Sequence, residues 1–190
     1  MYGLVNRAIE QLVVATKGEA TWERVCVQAG VNSDGFIAMC PYHDNVTYRL
    51  VEAVSQELSM TQAQVLEAFG EYWVLYTAEE GYGELLETGG KNLREFLSNL
   101  NVLHGRVELV FTQMKPPVFR VEDLRPGEYL LHYNSEREAL APMVLGLVRG
   151  LAKRFGQSVH IEHLAAQSDT AQGHALFTVT EQSPVLRQAR

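Results

Sequence analysis

The strongest constraint on the fold is a change of pattern at Lys115-Pro116-Pro117. Before these residues, apolar side chains recur every three or four positions, which is the spacing of amphipathic helices. After them come short segments separated by turn signals, which are typical of strands. Consecutive prolines cannot continue a helix, because each lacks an amide donor and pushes its predecessor into extended geometry. Helices followed by strands predict an α+β fold with an antiparallel sheet.

The periodicity also predicts the individual elements. Helices are expected from Leu4 to near Gly18, Thr21 to Gln28, an Asp44 cap through Val54, a Ser59 or Thr61 cap to near Gly81, around Leu85-Leu86, Leu93 to Phe111, and Leu140 to Phe155. Strands are expected over Val118–Glu122, Glu128–Asn134, Ser158–Leu164 and Ala175–Thr180. We expect a single domain over residues 1–181 with two lobes, and a frayed tail over 182–190.

Composition excludes several classes of protein. The 190 residues carry a formal net charge of -7, and 46% of them are hydrophobic. That length and apolar fraction suit one domain with a substantial core. A nucleic-acid binder needs a basic face to neutralise phosphates, which the negative charge disfavours. The apolar runs are too short to span a bilayer, and no signal peptide is recognised, so we expect a cytoplasmic protein.

The two cysteines, Cys26 and Cys40, give little information. A disulfide is possible, but reduced thiols are the better expectation without a secretion signal. Cys40-Pro-Tyr-His43 resembles half of a zinc site, and no second ligand pair stands at a matching spacing.

His104 lies in the apolar stripe of the long predicted helix. Leu97, Leu100, His104, Val107 and Phe111 recur at three and four residues, which places the histidine on the buried face. A neutral imidazole in an apolar pocket is a good axial ligand for haem iron. The alternative is a core histidine that hydrogen-bonds a carbonyl, and His104 alone does not decide between them.

Three donors follow the second predicted strand. In an extended segment, Tyr133, Ser135 and Arg137 point to one side and offer a phenol, a hydroxyl and a guanidinium. This set, here called the polar triplet, suits the carboxylates of haem propionates. An ordinary polar strand end is the alternative. Apolar side chains for the remaining pocket wall are available, although core packing would explain them equally well: Leu4, Val5, Leu86, Met143 and Leu147.

The sequence resembles the H-NOX family, the haem nitric oxide/oxygen binding domains of bacteria, cyanobacteria included, and of the soluble guanylate cyclase β subunit. The similarity runs from Met1-Tyr-Gly-Leu-Val-Asn to about Thr180. It includes Phe69-Gly-Glu-Tyr-Trp-Val, Glu80-Gly-Tyr-Gly-Glu and Asn99-Leu-Asn-Val-Leu-His104. The spacing Tyr133-x-Ser135-x-Arg137 with an upstream histidine is its most specific part.

The resemblance implies a role for each site residue. His104 would be the proximal ligand of a b-type haem buried between two lobes, the polar triplet would hold its propionates, and Pro117 would pack against and distort it. Leu86 would belong to the same pocket. The distal side would be lined by Val5, Trp73, Met143 and Leu147. Oxygen-binding members carry a distal tyrosine, and Met143 stands at the matching position. A thioether cannot donate a hydrogen bond, so exclusion of dioxygen is expected unless the indole of Trp73 points inward.

The same resemblance implies a sensor rather than an enzyme. NO or CO would bind ferrous haem, and NO would weaken or break the bond between iron and His104. The released helix would then signal to a separate partner, such as a histidine kinase or a cyclic-dinucleotide enzyme. Three alternatives stay open: a peroxidase, for which no distal base is visible, an oxygen-binding H-NOX protein, and a scaffold without haem.

Overall fold

A computed structural model describes residues 1–165 and 173–182 of the chain. The residues after 182, where a frayed tail is expected, lie outside this range. Within the described residues, helices occupy α1 Gly3–Lys17, α2 Glu19–Ala29, α3 Asp44–Leu58, α4 Gln62–Thr77, α5 Gly83–Glu87, α6 Leu93–Glu108 and α7 Ala141–Arg154. The strands are β1 Val118–Arg125, β2 Glu128–Asn134, β3 Ser158–His163 and β4 His174–Gln182. None of these helices is both long and apolar enough to cross a membrane.

Local chemistry explains where the long helices begin. Thr61 and Gln64 form a reciprocal capping box at the start of α4, which selects Thr61 over Ser59 as the cap. The side chain of Asn92 accepts a hydrogen bond from the amide of Glu95 and so caps α6. Helix α3 starts at Asp44 itself, with His43 as its N-cap residue. The predicted Asp44 cap is therefore wrong, because this carboxylate is engaged elsewhere.

Two helix ends differ from the sequence prediction. Helix α6 ends at Glu108 rather than Phe111. The chain turns there, which lets the buried Phe111 ring meet Tyr2 edge to face at 4.8 Å between centroids. Helix α4 continues into a wider turn over Ala78–Tyr82 that contains a kink, where Gly81 adopts a φ of 91°. A positive φ favours glycine, so this residue permits the kink.

The four strands form an antiparallel sheet in the order β1-β2-β4-β3. Phe119 of β1 pairs with Tyr133 of β2, which pairs with Ala175 of β4. These residues are buried, and their neighbours along each strand face the other side of the sheet. The two central strands therefore present a continuous apolar inner face to helices α6 and α7.

The buried side chains form two clusters. One is built mainly from α1 to α4 and includes Phe111. The other joins α6, α7 and the inner face of the sheet. Half-buried residues such as Met143 belong to the first cluster, whereas Leu147, one turn further along α7, belongs to the second. Helix α7 thus contacts both clusters. The α+β order expected from the sequence is confirmed.

Candidate functional site

A cavity of about 410 Å³ lies where residues of both clusters meet. Its wall is predominantly apolar. All ten residues that the family resemblance assigns to the site line it: Val5, Trp73, Leu86, His104, Pro117, Tyr133, Ser135, Arg137, Met143 and Leu147. The structure therefore brings together side chains from five helices, a strand and two connections that are up to 142 positions apart in the chain.

His104 is held in one orientation by the connection that leads into β1. Its Nδ1 lies 3.0 Å from the carbonyl oxygen of Pro117. A carbonyl can only accept, so Nδ1 carries the proton, and the Nε2 lone pair is left for another partner. Burial lowers the pKa of His104, an effect partly opposed by the hydrogen bond to Pro117 and by Glu108. The ring is therefore neutral at pH 7, which is the form that binds a metal.

The polar triplet reaches the cavity from the end of β2. Tyr133 is buried on the inner face of the sheet, and burial raises the pKa of its phenol despite a hydrogen bond with Ser135. Strand β2 ends at Asn134, as expected from the sequence, and beyond it Arg137 keeps extended backbone angles. Ser135 Oγ accepts from the amide of Arg137 at 3.1 Å, and the Ser135 amide donates to Gly173 at 2.9 Å. These hydrogen bonds of Ser135 fix the chain between Tyr133 and Arg137 at the cavity.

Asp44 is a site residue that sequence reasoning missed. Its Oδ2 accepts from Nε of Arg137 at 2.7 Å, while Arg137 Nη1 donates to the carbonyl of Lys115 at 2.8 Å. Burial pushes the pKa of Asp44 upward, but hydrogen bonds from the Met1 amino group and Arg137 outweigh it and hold the pKa below its usual value. The carboxylate therefore fixes the guanidinium at the cavity wall. An aspartate at the start of a helix is typical of an N-cap, so the sequence did not indicate that Asp44 pairs with Arg137.

Two glycines bring helices α4 and α7 into close contact beside the cavity. A Cβ on Gly70 would lie 2.2 Å from the carbonyl oxygen of Met143, and one on Gly146 would lie 1.9 Å from that of Glu67. Any side chain at either position would separate the helices. The close approach places Trp73 of α4 and Met143 of α7 on the wall of the same cavity.

Three tyrosines of the cavity wall were also missed. Tyr2, Tyr42 and Tyr82 line the cavity, and each carries a phenol that can donate a hydrogen bond. The Tyr42 hydroxyl accepts from the amide of Ile37 at 3.1 Å. Tyr82 lies beyond the α4 kink, in a segment whose short helical pattern gives no indication of which residues face inward.

The residues present fit a haem. Among residues 1–165 and 173–182, no three histidine, cysteine, aspartate or glutamate side chains come together as a metal cage. A single histidine that offers one ring nitrogen suffices when a porphyrin supplies the other ligands of the iron. The apolar wall suits the macrocycle, and Arg137 with its neighbouring hydroxyls suits the propionates.

This architecture, a neutral half-buried histidine in an apolar cavity with a carboxylate-binding group, is that of a haem protein. The chain belongs to the family described as Haem-NO-binding, whose profile matches residues 2–163. Members of this H-NOX family bind haem b. The family and the cofactor expected from the sequence are thereby confirmed.

Curated relatives include guanylate cyclases. The chain is 38% identical over 157 residues to Soluble guanylate cyclase gcy-32 of Caenorhabditis elegans, which covers 81% of this chain and 23% of that protein. It is 42% identical over 91 residues to Guanylate cyclase soluble subunit beta-2 of Rattus norvegicus, covering 48% of this chain and 13% of that protein. The chain thus spans less than a quarter of the length of these two relatives.

Solved structures share the fold. An H-NOX protein from S. oneidensis in the Fe(II)NO state superposes with a TM-score of 0.84 at 21% identity, covering 96% of this chain and 100% of that one.

Proposed function

We propose that this chain is a haem-based gas sensor that binds NO and CO and signals to a partner protein. The observation that carries the proposal is the contact between His104 Nδ1 and the Pro117 carbonyl, because it directs the protonation of the ring and leaves Nε2 as a ligand. Two structural relatives, both of S. oneidensis, are described in the Fe(II)NO and Fe(II)CO states, which supports these two gases as ligands.

Each group around the cavity has a proposed task. Bound haem would supply a ferrous iron that binds a diatomic gas. His104 would hold the iron, and Pro117 would fix the imidazole and pack against the macrocycle. The polar triplet would bind the propionates, with Arg137 oriented by Asp44 at 2.7 Å. The distal wall and the remaining pocket wall would exclude water: Val5, Trp73, Met143, Leu147 and Leu86.

His104 would hold the iron in the resting protein, and the proposed signal would be the weakening or loss of that hold when NO binds. His104 lies on α6, and its neighbour one turn earlier, Asn101, is hydrogen-bonded to Phe119 of β1. A displacement of α6 would therefore be transmitted to the edge of the sheet. A histidine kinase or a cyclic-dinucleotide enzyme is the kind of partner that would detect it.

Selection against dioxygen is part of the proposal. Bound dioxygen carries partial negative charge and gains from a donor, and Met143 provides none. One observation favours the oxygen-binding alternative, because the phenol of Tyr82 lines the same cavity. A peroxidase is not favoured. Within the described residues, His104 is the one histidine on the cavity wall, so no second imidazole stands there as a distal base.

Absorption spectra of the ferrous protein under NO, CO and air test this proposal. We expect a Soret band that shifts with NO and with CO and does not shift in air. A stable oxy spectrum in air would contradict the exclusion of dioxygen and would support the oxygen-binding alternative. Multiple turnovers with hydrogen peroxide would support an enzyme, and the absence of a Soret band after haem addition would refute the sensor.

A further inference from the structure

Two histidines lie side by side on the face of the sheet that points away from the cavity. His132 of β2 and His174 of β4 are diagonal neighbours, since His132 pairs with Leu176 and Asn134 pairs with His174. Nδ1 of His132 and Nε2 of His174 are 3.3 Å apart. The proposed sensor mechanism uses neither residue. They are called the histidine pair below.

The distance between the two nitrogens matches that of metal ligands. Nitrogens bound at 2.0–2.1 Å to a tetrahedral zinc ion lie about 3.3 Å apart. A right-angled arrangement, as in square-planar or octahedral sites, would need about 2.9 Å. The separation of 3.3 Å in the histidine pair, which a hydrogen bond spans while no metal is bound, also suits tetrahedral coordination.

We propose that the histidine pair binds a zinc ion through His132 Nδ1 and His174 Nε2, with water molecules as the remaining ligands. Imidazole nitrogens are preferred ligands of zinc and of its neighbours in the first transition row. Two protein ligands make a more open and weaker site than the four of a structural zinc centre.

Glu122 supplies the outer partner that such a site requires. Its Oε2 lies 3.3 Å from Nε2 of His132, on the side of the ring away from His174. A metal-binding histidine commonly donates its second ring N–H to a carboxylate, which orients the ring and strengthens the metal bond. With zinc at Nδ1, the proton of His132 would lie on Nε2. The Nε2–H group could then donate a hydrogen bond to Glu122.

Arg120 holds the opposite tautomer while no metal is bound. One of its guanidinium nitrogens lies 2.7 Å from His132 Nε2, and the other donates to Glu122 at 2.8 Å. Because a guanidinium only donates, Nε2 is the acceptor and Nδ1 carries the proton toward His174. Metal binding therefore requires Arg120 to release His132 and keep its bond to Glu122.

The histidine pair is accessible from solvent. The side chain of His132 is 15% exposed, and that of Glu122 is 46% exposed, so an ion can reach the pair from solvent. Zinc here would join β2 to β4 close to the residues that carry the polar triplet, since Ser135 donates to Gly173 at 2.9 Å.

Equilibrium dialysis of the untagged, haem-loaded protein against zinc chloride tests the proposal. Haem loading occupies His104, so a zinc ion bound there does not confuse the count. We expect one bound equivalent, and at least a tenfold loss of affinity in His132→Gln and in His174→Gln. His160→Gln is the matched control, because His160 is an exposed histidine on β3 of the same sheet. Equal zinc binding by all four proteins would overturn the proposal.

A second measurement needs no variant and covers the case in which the glutamine variants fail to fold. Imidazole nitrogen NMR of the wild-type protein reports the tautomer of each histidine. On adding zinc, we expect the His132 proton to move from Nδ1 to Nε2 and the His174 Nε2 signal to shift. Shifts confined to His43 or His160 would show adventitious surface binding and refute the site.

Discussion

Asn101 forms two hydrogen bonds with the backbone of Phe119. Its Nδ2 donates to the carbonyl at 2.7 Å, and its Oδ1 accepts from the amide at 2.9 Å. Strand β1 is an edge strand of the described sheet, so the side-chain amide occupies backbone groups that a neighbouring strand would otherwise take. One turn further along α6, His104 contacts Pro117. The helix is thus attached to the start of β1 at two successive turns.

Replacing Asn101 with Ala should destabilise the protein by about 1–3 kcal/mol, because two backbone groups lose their partner. Asn101→Asp keeps the acceptor and loses the donor, so we expect an intermediate effect. Urea denaturation measures the change, and hydrogen exchange at the Phe119 amide locates it. Ser98→Ala, an exposed position on the same helix, should change stability little. Equal stability of Asn101→Ala and wild type would show that Asn101 does not stabilise the contact between α6 and β1.

His104→Gly should abolish stable haem binding, because no other histidine of the described residues lines the cavity. Free imidazole should restore the Soret band by occupying the vacated space and ligating the iron. The measurement is haem retention after gel filtration, with and without imidazole. His43→Gly serves as the control, since His43 is exposed and does not line the cavity. Unchanged haem retention in His104→Gly would remove this residue from the axial role.

The sequence was sufficient to predict the fold because its signals are local. Helical periodicity, the Pro116-Pro117 break and the Pro126-Gly127 turn each act within a few residues, and the predicted elements occur in the structure with shifted ends. The end of α6 was missed because its position depends on Phe111 packing against Tyr2, a contact between distant parts of the chain. Periodicity alone carries no information about such contacts.

The apolar and motif residues of the candidate site could be predicted from the sequence. The contacts that hold those residues in place could not. His104 lies on a periodic helix face, so its burial could be anticipated. The pairing of Asp44 with Arg137 joins residues 93 positions apart, and nothing in the local pattern announces it. Likewise, the bond between His104 and Pro117 depends on how the connection after α6 folds back. Tertiary folding, rather than local propensity, sets these partners.

Arg137→Ala should weaken haem binding by about 1.5–3 kcal/mol, the usual value of a hydrogen bond to a charged group. Arg137→Lys should recover only part of the loss, since an ammonium lacks the planar fork that matches a carboxylate. The rate of haem transfer to an excess of apomyoglobin measures the effect. Arg149→Ala removes an arginine of α7 that pairs with Glu67 outside the cavity and should leave the rate unchanged. Identical rates in Arg137→Ala and wild type would exclude Arg137 from propionate binding.

The Asp44 carboxylate should make stability depend on pH in the acid range. Its folded pKa lies below the usual value, so its contribution is present above the unfolded pKa of about 3.9 and is lost as pH falls through the folded pKa. The carboxylate is 37% exposed, which limits the contribution to about 1 kcal/mol or less. Unfolding free energies of the haem-free protein between pH 3 and 6 should fall less steeply with acidification in Asp44→Asn. Parallel curves would show that the carboxylate is not stabilised by its partners.

Met143→Tyr should convert the protein into one that binds dioxygen. The cavity wall at this position offers a thioether, and a phenol there would provide a donor to a partly negative ligand. We expect a stable oxy spectrum in air for Met143→Tyr and none for wild type, with Met143→Leu as the control of similar size. Tyr82→Phe tests whether Tyr82, whose phenol is already on this wall, stabilises bound dioxygen instead. If the wild-type protein forms an oxy complex that Tyr82→Phe loses, Tyr82 rather than position 143 determines the choice of gas.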